Sequence, residues 1–166
     1  MERENDFFQF YNNDLSVKHV LKFYADIDGH IAFARNALKN YEDRFYGLHS
    51  GGFGDAPSKT NKISNPTESA VLNIPDSASR EMGRLRAEIE RLYSLQTEIF
   101  AEICKLPLVE KNIIVDFYIK KRQWVQISSS VHYSETQCKK IRNRALKKLG
   151  DLLDQNELVK NFNYPF

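Results

Sequence analysis

The chain has 166 residues, enough to bury a hydrophobic core in one domain or in a small domain with an appended helical element. Its formal net charge is only +2, but residues 106–150 hold 10 Lys and Arg against 3 Asp and Glu, whereas the remainder holds 14 against 19. A basic C-terminal third therefore follows an acidic remainder, which is the charge pattern of a segment that meets a polyanion.

Two further features define the class of protein. No segment approaches the ~20 apolar residues needed to cross a bilayer, and no basic and apolar leader is found, so we expect neither secretion nor membrane insertion. Cys104 and Cys138 lie on predicted helices without metal or disulfide spacing. These cysteines fit the reducing cytoplasm, where we expect the protein to reside.

Long helices are predicted for the first two thirds of the chain. Residues 1–15 lack a clear period and are predicted to be irregular, with at most one short helix. Residues 16–46 form a long helix capped by Ser16, with apolar positions stepping by three and four residues. Gly and Pro over 47–75 predict a flexible linker, and residues 76–105 form a second long helix that begins near Asp76 or Ser77.

The narrow apolar stripes of the two helices match, which predicts that they pack on each other. We therefore expect an all-α fold in which a two-helix hairpin or coiled-coil segment precedes a smaller helical domain. The length of the linker also allows pairing with a second copy, as a homodimer through the long helices. Gln96 lies on the stripe and either fixes the register of the pair or lies at its edge.

Residues 106–153 are predicted to form a helix-turn-helix domain, followed by a tail over 154–166. Trp124, Ile127 and Val131 supply the inward side of a short first helix, and His132 and Tyr133 form the turn. Ser134 and Gln137 have the spacing of a capping box that starts the second helix. Such a second helix can enter a major groove about 12 Å wide.

The second helix buries one side, so its polar residues divide into two roles. Lys and Arg on the flanks neutralise phosphates, whereas side chains aimed at base edges select the sequence. The residues predicted to read bases are Ser134, Glu135, Thr136, Lys139, Lys140 and Asn143. Those predicted to contact phosphates are Lys121, Arg122, Gln137, Arg142, Arg144, Lys147 and Lys148. Double-stranded DNA is the predicted partner.

The domain resembles region 4 of bacterial sigma factors, which reads a promoter element. The resemblance covers about a quarter of the chain and rests on Leu106-Pro107, the pairs Ile113-Ile114 and Phe117-Tyr118, the stretch Trp124 to Ile127, the start at Ser134 and the ending Arg144-Ala-Leu-Lys-Lys-Leu149. The whole arrangement is similar to the small sigma-like, ArpU-type regulators of phages and prophages. This resemblance implies activation of phage genes in a bacterial host cell and contact with RNA polymerase.

Two positions depart from the sigma pattern. Ser128 replaces a small alanine where the helices cross, and Gln123 replaces a helix-starting serine. We expect the Ser128 hydroxyl to bond back to its own helix and the cap at Gln123 to be weaker. The chain also lacks room for the segment that melts promoters, so we expect an activator that assists a polymerase already carrying its own sigma factor.

Other functions were considered. The glycine-rich stretch 50–60 lacks the glycine before lysine of a phosphate-binding loop, and the dispersed histidines give no metal site, so no enzyme and no cofactor is predicted. A phage small terminase-like DNA-recognition subunit and a protein-interaction module that uses the basic helix remain alternatives. The aromatic tail, residues 161–166, is expected to dock on its own protein.

Overall fold

A computed structural model describes residues 3–45 and 74–164 of the chain, with side chains from Val17 onward. Within these ranges there is no strand, which confirms the all-α class. The helices are α1 (Arg3–Phe45), α2 (Asp76–Cys104), α3 (Leu108–Ile114), α4 (Trp124–Val131), α5 (Glu135–Gln155) and α6 (Glu157–Lys160). A π-helical turn, Val115–Ile119, continues α3 without a break.

The start of α1 differs from the prediction. Residues 1–15 were predicted to be irregular, but the helix begins at Arg3. Once residues 17–45 are helical, each added residue gains a backbone hydrogen bond without the cost of nucleation, so a weak local pattern is enough to extend the helix. The predicted linker 47–75 falls almost wholly outside the described residues. At its end the Pro75 carbonyl accepts from the backbone N–H of Ala78 at 2.9 Å and of Ser79 at 3.0 Å, and so starts α2.

The chain divides into two compact units. The smaller unit, His30–Arg91, combines the end of α1 with the start of α2. Tyr41 and Phe45 border the same surface pocket as Pro75 and Ala78, so the two segments run in opposite directions. An ion pair of 2.9 Å joins Arg86 to Glu42. The buried apolar side chains of this unit are Ile31, Ala34, Ala78, Met82 and Leu85.

The larger unit comprises Met1–Gly29 and Leu92–Phe166. Gln96 Nε2 donates to Asp28 Oδ1 at 2.8 Å, and Tyr24 lies near Cys104, so here too the helices are antiparallel. Gln96 is half-buried and links the two helices, which is compatible with both of its predicted roles. Most of the predicted stripe positions are buried, among them Val17, Val20, Ile27, Leu92, Ile99, Ile103 and Leu106. A homodimer that uses these side chains would have to uncover them.

The C-terminal tail docks on its own protein, as predicted. The rings of Phe162 and Tyr164 lie 5.6 Å and 5.3 Å from the ring of Phe23, and the Tyr164 hydroxyl donates to the Val159 carbonyl at 3.1 Å. Asn156 begins α6 by accepting from Val159 N–H at 3.3 Å. The tail thus adds an aromatic contact to the larger unit.

The docked tail predicts an alkaline loss of stability. Burial raises the pKa of Tyr164 from 10.0 to about 12. A phenol whose pKa is higher in the folded state stabilises the fold below its unfolded pKa, and this contribution is lost as the pH rises toward the folded value. We expect Tyr164→Phe to reduce stability at pH 7 by about 1 kcal/mol, through the lost hydrogen bond. The deficit should shrink as the pH rises above about 10.

Urea unfolding at pH 7 and pH 11 would measure this difference. Tyr133→Phe serves as the control, because the Tyr133 ring is exposed. A deficit of Tyr164→Phe that stays constant over this pH range would contradict the prediction.

Candidate nucleic-acid interface

The turn between α4 and α5 fixes where the second helix begins. His132 has a left-handed backbone, with φ of 58°, and Tyr133 N–H donates to the Ser128 carbonyl at 3.3 Å. Ser134 Oγ then accepts from Gln137 N–H at 3.2 Å and caps α5. The structure contains this half of the predicted capping box but shows no return bond from the Gln137 side chain.

The start of α4 also has a side-chain hydrogen bond. Gln126 Oε1 accepts from the backbone N–H of Gln123 at 3.1 Å, which satisfies a donor at the position where the sequence departs from the usual serine. The cap at Gln123 was expected to be weak, and Gln126 supplies a bond that this expectation left out. The Ser128 hydroxyl donates to the Val125 carbonyl at 2.9 Å, as predicted.

One side of α5 is buried against α3 and α4. Cys138, Ile141, Ala145 and Leu149 are each at most 5 % exposed, and Ile113 and Ile127 lie in the same core cluster as the first two. Burial raises the pKa of the Cys138 thiol, which makes it a poor nucleophile. Because a large apolar side chain gains ~1.5–3 kcal/mol on burial, rotation of α5 about its axis would be costly. The opposite side of α5 therefore faces solvent.

Four exposed residues form what we call the outer row: Thr136, Lys140, Asn143 and Lys147. Their spacing of four, three and four residues places them on one face of the helix. Three of the predicted base-reading residues lie in this row. Lys140 forms no ion pair within the described part of the chain. A row of polar and cationic side chains along a fixed helix can present hydrogen-bond donors to an anionic surface.

The other predicted base-reading residues lie to one side of the outer row. Ser134 is occupied as the cap of α5. Lys139 Nζ is 3.8 Å from Glu135 Oε2 and 5.6 Å from the centre of the Trp124 ring. The structure therefore separates Glu135 and Lys139 from the row that contains Lys140.

Arg142, one of the predicted phosphate contacts, packs against two aromatic rings. Its guanidinium carbon lies 5.4 Å from the ring centres of both Phe117 and Trp124, which stack on each other at 4.5 Å. We call this pair of rings the aromatic shelf. Arg142 also donates from Nε and Nη2 to Asn143 Oδ1, at 3.1 Å and 2.8 Å. Its guanidinium is therefore held beside the outer row by the protein itself.

A buried carboxylate binds two of the cations that were predicted to contact phosphates. The Glu110 side chain is 3 % exposed, and its Oε1 lies 2.8 Å from Arg144 Nε and 3.0 Å from Lys148 Nζ. Glu110 joins α3 to α5 through these bonds. Glu110 was not predicted to belong to the site, although its spacing from Ile113 and Ile114 places it on the buried face of α3.

A second acidic residue acts in the same way before α4. The nearly buried Asp116 lies 2.9 Å from Lys120 and 3.3 Å from Arg122, and Lys121 pairs with Asp26 at 3.1 Å. Lys121 and Arg122, both predicted to contact phosphates, thus have internal partners. Gln137 is exposed beside the outer row. Lys121 and Arg122 nevertheless keep exposed side chains, so their partners hold these cations in place at the surface.

Comparison with known proteins gives no match. No family model, no curated protein and no solved structure matches the chain. Among the described residues, no group of three or more potential metal ligands comes together. In the same residues, no helix has the length and apolar character required to span a membrane.

The pairing of Glu110 with both Arg144 and Lys148 predicts that substitutions of the two cations have non-additive effects on stability. Arg144→Ala or Lys148→Ala alone leaves the carboxylate with one cation, so each should cost about 1 kcal/mol of unfolding free energy. The double variant leaves a buried charge unpaired, and we expect it to cost more than the sum of the two single losses. Adding Glu110→Gln to the double variant should restore part of the loss, because the uncompensated charge is gone.

Urea unfolding at neutral pH provides these free energies. Lys140→Ala is the matched control on the same helix, and it should change stability by no more than about 0.5 kcal/mol. Strict additivity of the two cation removals, or a further loss on adding Glu110→Gln, would show that Glu110 is not the shared anchor.

Proposed function

We propose that this protein is a sequence-specific DNA-binding transcriptional regulator of phage or prophage genes, and that it acts as an activator. In this proposal α4 and α5 work as a helix-turn-helix, with the outer row of α5 in the major groove of promoter DNA. The protein then assists an RNA polymerase that already carries its own sigma factor. The long helices precede this helix-turn-helix along the chain. A homodimer formed through them is a further proposal.

The observation that carries the proposal is the one-sided burial of α5. The cap at Ser134 and the core around Ile141 fix the helix, and the side turned to solvent carries Thr136, Lys140, Asn143 and Lys147. Lysine and asparagine can bond to base edges, and the methyl group of threonine can contact thymine. This is the combination that direct reading of a duplex requires.

The proposal gives separate roles to lysines of one helix. Lys147 lies farther from the start of α5, where we propose that it meets the phosphate backbone. Lys140 lies nearer the start, where a groove-inserted helix meets base edges. We expect Lys147→Ala to weaken binding to all duplexes alike and to reduce the slope of log affinity against log salt by ~0.9, the contribution of one phosphate contact. Lys140→Ala should instead change the preferred base pair.

Fluorescence anisotropy with labelled promoter duplexes from the neighbourhood of its own gene, titrated over a range of salt concentrations, would measure both effects. Lys160→Ala is the matched control, since it removes an equal charge from an exposed position on α6 of the same unit, beyond the far end of α5. It should leave affinity, salt slope and base preference unchanged. Binding by the intact chain that depends neither on the DNA sequence nor on the salt concentration would contradict the proposal.

A further inference from the structure

The contact between Arg142 and Asn143 determines which atoms of the asparagine amide remain open. Two nitrogens of one guanidinium, Nε and Nη2, donate to the same oxygen, Asn143 Oδ1, at 3.1 Å and 2.8 Å. Asn143 is exposed and belongs to the outer row. Its amide nitrogen forms no bond within the described part of the chain, so its two hydrogens are available to a ligand.

The identity of the amide atom that faces Arg142 follows from chemistry. A guanidinium carries only donors, and an amide NH₂ group has no acceptor to offer. Rotating the Asn143 amide by half a turn would place donors against donors. The arrangement with Oδ1 toward Arg142 is therefore the one that forms hydrogen bonds, and Nδ2 must point away from the guanidinium.

The aromatic shelf restrains the arginine. Its guanidinium carbon lies 5.4 Å from the centres of the Phe117 and Trp124 rings, within the range of a cation–π contact. Arg142 is half-buried there, so the guanidinium loses less freedom on binding Asn143 than a fully solvated arginine would. The orientation of the Asn143 amide is thus set before any DNA arrives.

We infer that Asn143 reads DNA as a donor only and selects guanine over adenine, with Arg142 as its positioning residue; this inference rests on the proposed function. An asparagine with both amide atoms free pairs with adenine by donating to N7 and accepting from N6. Asn143 cannot complete that pair, because Arg142 already occupies its oxygen. Guanine presents two acceptors, O6 and N7, to the same groove, and both suit the open NH₂ group.

Selection of binding sites by the full chain from a library of random duplexes, followed by sequencing, would test this inference. The base pair read by Asn143 is the one whose preference disappears in Asn143→Ala. At that base pair we expect the wild type to favour guanine over adenine by roughly ten-fold, the scale of one good side-chain-to-base contact. Arg142→Leu keeps an apolar stem on the shelf but frees the amide oxygen, so the preference should move toward adenine.

Lys139→Leu is the matched control, because Lys139 also lies over the Trp124 ring but does not bind Asn143. It should lower affinity and leave the preference at the Asn143 base pair unchanged. Thermal unfolding would verify that Arg142→Leu remains folded. If it does not, Arg142→Gln is a second variant that removes the two guanidinium donors. An adenine preference in the wild type, or an unchanged preference in both folded Arg142 variants, would overturn the inference and leave the proposed function standing. Failure of the wild type to select any sequence would overturn both.

Discussion

The burial of one side of α5 is the constraint from which the site follows. Cys138 and Ile141 pack with Ile113 of α3 and Ile127 of α4, and the capped start at Ser134 fixes where the helix begins. A helix with such a buried side has a definite outer side, whatever residues stand there. In this chain the outer side carries lysine, threonine and asparagine, so the same packing that stabilises the larger unit also presents the groups that we propose to meet DNA.

Internal carboxylates form ion pairs with several cations of the basic segment. The positive charge over residues 106–150 suggests a broad basic surface. Glu110, Asp116 and Asp26 bind cations from this segment at distances of 2.8–3.3 Å. Two of these acids are buried, and a buried carboxylate without a cation is costly, so these pairs are not readily given up. These cations are therefore held in fixed positions around the outer row, on which the proposed interface is centred.

Side-chain periodicity and local capping made part of this structure predictable. The stripe from Val17 onward, the buried side of α5, the cap at Ser134 and the docked tail all follow from spacing or from the type of residue at a chain end. The start of α1 at Arg3 was not predictable in this way, because its helix extends from a stable neighbour rather than from its own pattern. The π-helical turn Val115–Ile119 was not predicted either.

The candidate site was predicted less completely than the fold. A charge count cannot show that Arg144 and Lys148 pair with a buried acid. Glu110 was not among the predicted site residues, although its helical spacing from Ile113 and Ile114 could have indicated burial. The bond between Arg142 and Asn143 joins adjacent residues, which usually diverge on a helix, and it forms here beside two stacked aromatic rings.

Cleavage of DNA from a reagent fixed on the outer row would test the central claim most directly. Thr136→Cys in a Cys104→Ser background allows an iron chelate to be attached at the start of α5, while the buried Cys138 stays protected. The account predicts strand cleavage confined to a few bases of a selected promoter duplex, with the pattern expected of a source in the major groove. The same chelate attached through Lys160→Cys, on α6 of the same unit and beyond the far end of α5, should cleave weakly and without focus. Focused cleavage from position 160 with none from position 136 would contradict the account.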